Sequence, residues 1–279
     1  MSLLRGVTIG QHYPLDSRVH RLDPCLKILM ILIYIIALFT SDGLYALMLL
    51  GAYMLLAALL SRLPGQLLWR GLRPVLWIAA FTVLTQPLMT TGGTLLWSYG
   101  VLRIYSRGVW RGLLLGYRLL LMMLASSLLT LTTSPLLLTS GMEDLLSVFT
   151  PLGLPVPELA MMMSIALRFV PTLAEEAEKI AKAQMARGVD FEQGHLLQRL
   201  RSFLPVLVPL IVSSLRRADE LALAMEARGY HGGSMRTRYR VTRRHRDDWL
   251  ALASLLLLWI VIVMLRFAPG SGVSAWMRG

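Results

Sequence analysis

Five runs of predominantly apolar residues, 26–40, 44–60, 74–89, 109–132 and 249–267, constrain this chain more than any other feature. An apolar segment of about twenty residues closes its backbone hydrogen bonds within itself as a helix and reaches about 30 Å, the thickness of a bilayer's hydrocarbon core. The whole chain agrees: 56% of its 279 residues are hydrophobic, 16% are charged, and the mean hydropathy is +0.61, too apolar for an ordinary soluble domain. The predicted fold class is therefore all-α, a polytopic helical membrane protein with about five transmembrane helices and a further region of long amphipathic helices. Some twenty-five polar and mixed residues precede the first run, so it reads as a retained span and not as a cleavable signal peptide. Asp23-Pro24 supplies that span with a capping carboxylate and a proline at the first helical position. Ser41-Asp42-Gly43 turns it into the second span as a tight helical hairpin.

A net charge of +12 and a pI near 10.5 raise the question of nucleic acid. The cations sit beside the apolar runs, where loop topology and anionic lipid headgroups account for them, so membrane lipids are the expected partner and nucleic acid is not. Arg18, Arg21 and Lys27 precede the first span, Arg62, Arg70 and Arg73 separate the second from the third, and Arg243, Arg244 and Arg246 precede the last. All three clusters are cytoplasmic if the N-terminus is. The loop at 90–107 then lies outside and carries Arg103 and Arg107, with Arg111 just beyond, against the trend. Its Thr-Thr-Gly-Gly turn and the alternation over 101–105 predict a short surface hairpin.

Residues 134–248 change character and hold most of the carboxylates. Helical patterns run over 142–149, 157–187 and from 196 or 203 to 228, interrupted by Pro151, Pro155 and the stretch 188–194. The expected organisation is thus 1–133 for the first four transmembrane helices, 134–248 for helices lying on the cytoplasmic membrane face, not crossing it, and 249–279 for the last span and tail.

Two of those helices end alike. EEAEKIAKAQMARG at 175–188 and RRADELALAMEARG at 216–229 share three alanines and a terminal Ala-Arg-Gly, Ala186-Arg187-Gly188 in one and Ala227-Arg228-Gly229 in the other. An arginine at a helix C-terminus is favoured by the helix dipole, and the glycine after it takes the left-handed stop that frees the tip. The alanine keeps the tip narrow enough to enter a groove, where a guanidinium offers five donors to carboxylates or carbonyls. A single Arg-Gly ending is an ordinary C-cap; two on similar amphipathic helices point to two similar docking partners.

No acidic residue lies between Asp42 and Glu143, so three spans hold no carboxylate to bind a coupling ion, which argues against a self-sufficient carrier. There is no G-x-x-x-x-G-K-[ST] phosphate loop and no H-E-x-x-H pattern, the five histidines (His12, His20, His195, His231, His245) are scattered, and Cys25 is the only cysteine. No catalytic or metal-ligating residue is expected. Gly108, Gly112 and Gly116 form a small-residue ridge on the fourth span, for packing within the chain in preference to packing on a partner. Arg118, a turn further in, is expected to snorkel, with a loop carbonyl as the alternative. Met161, Met162 and Met163 make a deformable contact surface.

These residues carry a family resemblance. His20-Arg21-Leu22-Asp23-Pro24 with Lys27, the stretch 129–135 (LTLTTSP), the stretch 164–173 (SIALRFVPTL) and the two Ala-Arg-Gly blocks resemble the transmembrane T component of energy-coupling factor (ECF) transporters, the EcfT family that includes the cobalt and biotin system members, over nearly the whole chain. The resemblance is closer to the type shared by several substrate-binding subunits. It implies a non-catalytic scaffold in a bacterial or archaeal cell membrane, joining two cytoplasmic ABC-type ATPases, which hold the ATP and Mg, to a small membrane-embedded S component that binds a vitamin or metal ion. Arg187 and Arg228 would be its coupling arginines, and Met161 to Met163 part of the S-component surface; this chain itself would hold no cofactor. A membrane-embedded enzyme built on Glu175, Glu176, Glu178, Asp219 and Glu220, and a stand-alone carrier, remain as alternatives, although those carboxylates read most simply as solvated helix faces.

Overall fold

The computed structural model describes residues 15–41, 43–90, 92, 94–99, 102–191, 195, 201–230 and 245–267. The sequence expectations attached to Asp42, Thr91, Gly93, Val101, Arg243, Arg244, His12, His231 and the start at 196 lie outside them. The described residues form an all-α protein but for one hairpin, in two compact units: residues 11–142 with 242–279, and residues 143–241.

The first unit begins with a single turn, α1 (Arg18–Arg21), capped by Ser17. Helix α2 (Pro24–Thr40) starts where Asp23-Pro24 predicts: the Asp23 carboxylate accepts from the backbone N–H of Cys25 at 2.8 Å and of Leu26 at 3.4 Å, two groups with no partner inside the helix. Helix α3 (Leu44–Ser61) follows directly and ends on Arg62, whose φ of 56° supplies the left-handed stop that usually takes glycine. Helix α4 (Gly65–Met89) begins nine residues before the apolar run at 74. Pro74, expected at its first turn, sits in its interior, and the helix continues through it because the preceding segment, with Leu67, Leu68 and Trp69, is itself helix-forming.

Strands β1 (Leu95–Tyr99) and β2 (Leu102–Tyr105) pair antiparallel, with Tyr99 opposite Leu102. Helix α5 (Ser106–Thr132) packs along α4 through its glycines. A Cβ added at Gly108 would lie 2.7 Å from the Pro87 Cα, at Gly112 3.2 Å from the Val83 carbonyl oxygen, and at Gly116 2.8 Å from a Val83 methyl. All three glycines are buried, so the ridge meets this chain's own helix. Arg118 does not run free to an interface: its guanidinium donates to the Ser41 carbonyl at 2.5 Å and lies over the Phe39 ring, capping the α2–α3 turn.

Helix α6 (Pro135–Leu146) starts seven residues before the expected 142, because Ser134 caps it and Pro135 suits a first turn. The last helix of this unit, α9 (Arg246–Phe267), opens on Asp248, whose carboxylate reaches back to the His245 N–H at 2.6 Å as in a capping box. The core between α2, α3, α5 and α9 is Leu38, Leu47, Leu50, Ala125, Leu128, Leu255 and their neighbours. Tyr34 is buried in it and donates to the Leu50 carbonyl at 3.1 Å.

At one end of this core three helix termini are tied together by charge. Lys27, 5% exposed, donates to the carbonyls of His20 and Thr132 and to the Thr133 hydroxyl at 3.1–3.3 Å. Asp248, 2% exposed, accepts from the Asp23 N–H at 2.9 Å. Lys27 is thus an internal tie between α2 and the end of α5, whereas its place in the sequence suggests only a flanking topological charge.

The second unit holds a 3₁₀ segment (Ser147–Leu152), helix α7 (Val156–Ala186) and helix α8 (Leu204–Ala227). Among the described residues five helices are long and apolar enough to cross a membrane: α3, α4, α5, α7 and the 246–265 part of α9. The number matches the expectation but the membership does not. At 17 residues α2 is an apolar helix at the short limit for a crossing, about 25 Å long. Helix α7 qualifies because it runs unbroken for 31 residues through Pro171, which adds its apolar first half to one continuous rod. The helix expected over 157–187 is thus present, and its length and composition would suffice for a crossing as well as for the expected place along the membrane face.

Candidate functional site

The two Ala-Arg-Gly sequences form the same structure twice. Arg187 has φ −87° and ψ 4°, and Arg228 has φ −92° and ψ 9°. Gly188 and Gly229 follow in the left-handed region at φ 89° and 78°. In α7 the N–H of Val189 reaches the Gln184 carbonyl at 3.1 Å and that of Gly188 the Met185 carbonyl at 3.0 Å. In α8 the N–H of Tyr230 reaches the Met225 carbonyl at 3.0 Å and that of Gly229 the Glu226 carbonyl at 2.9 Å. Each is a full Schellman ending, which consumes the last carbonyls of the helix and turns the chain away from its axis.

Glycine is required at both stops by backbone conformation and not by crowding, since a Cβ at Gly188 or Gly229 would meet nothing within 4 Å. Ala186, Arg187, Ala227 and Arg228 are exposed. Neither arginine makes an ion pair among the described residues. Each tip therefore presents an exposed guanidinium, with no ion-pair partner among the described residues, at the narrow end of a helix that the Schellman bonds close.

Behind the tips, α7 and α8 pack on each other through a small apolar contact of Ala181, Val206 and Phe191, with the Phe191 and Phe203 rings 5.3 Å apart. Gln184 donates to the Pro205 carbonyl at 3.4 Å. Glu176 accepts from the Ser213 hydroxyl, and an Arg217 nitrogen stands 2.7 Å from its other oxygen. Glu176 is thereby an exception to the solvated-face reading, with a side chain only 20% exposed. Glu178 follows that reading more closely, pairing along its own helix with Lys182 at 2.9 Å.

Toward the other end of α7, Met162 and Met163 are about half exposed, 54% and 46%, and Met161 is partly buried. Along α8 Leu204, Leu207, Val208, Ile211, Val212 and Leu215 are all exposed. So much uncovered apolar surface on a helix pair belongs against lipid or protein. The glycine ridge of α5 is consumed against α4. Among the described residues no group of three or more His, Cys, Asp or Glu is placed to hold a metal ion.

A family model described as a cobalt transport protein, CbiQ, matches residues 16–239. The energy-coupling factor transporter transmembrane protein EcfT of Heliobacterium modesticaldum is 46% identical over 266 residues, 95% of this chain and 100% of its own length. The EcfT proteins of Bacillus subtilis and Acidaminococcus fermentans are each 44% identical over 95% of this chain and 100% and 98% of theirs. The chain belongs to the CbiQ/EcfT family. It is accordingly the transmembrane component of an energy-coupling factor transporter and a multi-pass membrane protein. The match to the CbiQ model spans both units and takes in both Ala-Arg-Gly tips.

Sequence reasoning missed two parts of this arrangement. The Lys27 tie is concealed because a lysine beside an apolar run reads as a topological signal. The Glu176–Arg217 pair left a trace: the two residues occupy the same position in the aligned 175–188 and 216–229 segments, with opposite charge.

Proposed function

We propose that this EcfT-family chain is the energy-coupling scaffold of an ECF-type ABC importer. Its two tips, Ala186-Arg187-Gly188 and Ala227-Arg228-Gly229, each seat in a groove on one of two cytoplasmic ATPases, which bind ATP and Mg and carry out the hydrolysis. The apolar faces of α7 and α8, with Met161, Met162 and Met163, receive an S component that carries a vitamin or metal ion, and the shared arrangement lets several S components use one scaffold. The N-terminus and both tips face the cytoplasm, on the side of the cationic clusters.

The observation that carries this reading is the duplication of one exposed Arg–Schellman ending on two helices packed side by side. Two identical tips suit two equivalent partners, and a cation at a helix C-terminus suits an acidic or carbonyl-lined groove. A guanidinium buried at such an interface contributes about 2–5 kcal/mol, most of it felt as the cost of leaving its partner unpaired.

The reading is tested by ATP-dependent uptake in vesicles holding the full complex. Arg187→Ala and Arg228→Ala should each lower uptake with the chain still inserted, and the double substitution should abolish it. Equal uptake by the double variant and the parent would refute the coupling role.

A further inference from the structure

The contacts between α7 and α8 follow a definite order. Glu176 meets Ser213 and Arg217, and eight residues further along α7, Gln184 meets Pro205, eight residues back from Ser213. The two helices therefore run antiparallel past each other, and their C-terminal arms point apart from the place where Glu176 and Arg217 meet. From Glu176 to the tip residue Arg187 is eleven residues, and from Arg217 to Arg228 is eleven residues. Each arm is about 16 Å, three turns, at 1.5 Å per residue, which sets the tips up to about 33 Å apart.

The ion pair thus joins equivalent positions of two similar segments, at the midpoint between their equivalent ends. The buried apolar contact between the helices is confined to Ala181, Val206 and Phe191 among the described residues, all on one side of it. A polar trio at one position favours the register in which its members meet, the best-attested use of an ion pair partly removed from water. Glu176 suits the part, with one oxygen on the Ser213 hydroxyl and the other against Arg217, which is itself 37% exposed.

We propose that Glu176, Arg217 and Ser213 form a fulcrum that locks α7 and α8 into one two-armed lever, so that the Arg187 and Arg228 tips hold a fixed separation and move together. These are positioning residues. They touch neither tip and act by fixing where the tips stand. The part played in transport rests on the coupling function proposed above, whereas the fixed separation is a property of this chain alone.

Two measurements test the fulcrum. In the full-length chain with Cys25→Ser, spin labels at Met185→Cys and Glu226→Cys report the distance between the arms by pulsed electron resonance. The parent should give one narrow distribution. Arg217→Glu, which sets a second carboxylate against Glu176, should broaden or shift it, and the exchange Glu176→Arg/Arg217→Glu should restore it. In the assembled transporter, Arg217→Glu should keep its ATPases while uptake per ATP hydrolysed falls about tenfold, and the exchange should recover most of that loss. Glu176→Gln, which is isosteric and keeps an acceptor for Ser213, guards against a misfolded Arg217→Glu and should also broaden the distribution.

An unchanged distribution in both Arg217→Glu and Glu176→Gln would overturn the proposal, as would an assembled charge-exchanged variant no better coupled than Arg217→Glu. Should the parent hold no ATPase at all, the coupling function fails, and the distance measurement still decides the fulcrum.

Discussion

The α4–α5 seam allows a graded test with alanine at four glycines. A Cβ at Gly108 would stand 2.7 Å from the Pro87 Cα and 3.2 Å from the Gln86 carbonyl oxygen, both of them backbone atoms that cannot rotate aside. Carbon atoms sit comfortably at about 3.5–4.0 Å, so the helices must separate by nearly 1 Å at this point or bend. Overpacking of this kind costs about 1–3 kcal/mol, and Gly108→Ala belongs at the upper end because it also opens the neighbouring contacts. At Gly112 the nearest atoms stand at 3.2 Å, so a few tenths of an ångström of movement suffice and the cost is smaller. At Gly116 the obstacle is a Val83 methyl, a side chain that has some room to adjust. Gly65, at the start of α4, has nothing within 4 Å and is the control, where alanine gains up to about 1 kcal/mol of helix propensity. Thermal unfolding of the purified variants in one detergent should rank Gly65→Ala at or above the parent, then Gly112→Ala, with Gly108→Ala lowest. If Gly108→Ala melts with the parent, or Gly65→Ala falls as far as Gly108→Ala, the close approach of α4 and α5 is refuted.

Other outcomes follow from single features. Gly229→Ala introduces no clash but forces an L side chain to φ 78°, at about 1–2 kcal/mol, so it should fray the α8 tip, seen as faster amide exchange at Tyr230, and weaken ATPase retention with the rest of the fold intact. Lys27→Met leaves the buried Thr132 carbonyl and Thr133 hydroxyl and the part-buried His20 carbonyl without their donor and should destabilise the chain by about 1–3 kcal/mol, read as loss of folded protein on detergent extraction, and Asp248→Ala should act in the same direction. The hydrogen bond and charge of Arg21 hold the Asp16 carboxyl below its ordinary pKa, a contribution present above the unfolded-state value and lost as pH falls through the lower folded-state value. Both groups are fully exposed, so Asp16→Asn should flatten only a shallow decline in melting temperature below about pH 4 and leave neutral pH unaffected.

Local signals carried well from sequence to structure. Asp23-Pro24 caps α2, and the tip glycines take the left-handed conformation because no other residue does so without strain. Boundaries set by proline carried less well. Pro74 lies inside α4, whose other contacts outweigh one lost hydrogen bond, so that helix is longer than the apolar run that opens there, whereas the helix expected over 157–187 runs through Pro171 as its pattern implies. Long-range polar pairs were the least legible. Neither Lys27 with Thr133, 106 residues apart, nor Asp23 with Asp248, 225 apart, leaves a periodicity to find. Arg118 illustrates the same limit: its depth in α5 was readable, but the Ser41 carbonyl that receives it is a product of the tertiary fold. The candidate tips were legible because they are local and repeated, and the Glu176–Arg217 pair between them became legible once the two helices were seen side by side.

The most direct test of the coupling account is affinity purification of the full chain from its host membranes in mild detergent, parent against Arg187→Ala/Arg228→Ala, with mass spectrometry of what is retained. The account predicts that the parent brings two ATP-binding-cassette ATPases, recognisable by their phosphate loops, together with one or more small membrane proteins, and that the double variant loses the ATPases. A parent that retains no such ATPase, or a double variant that retains both at parental levels, would contradict it.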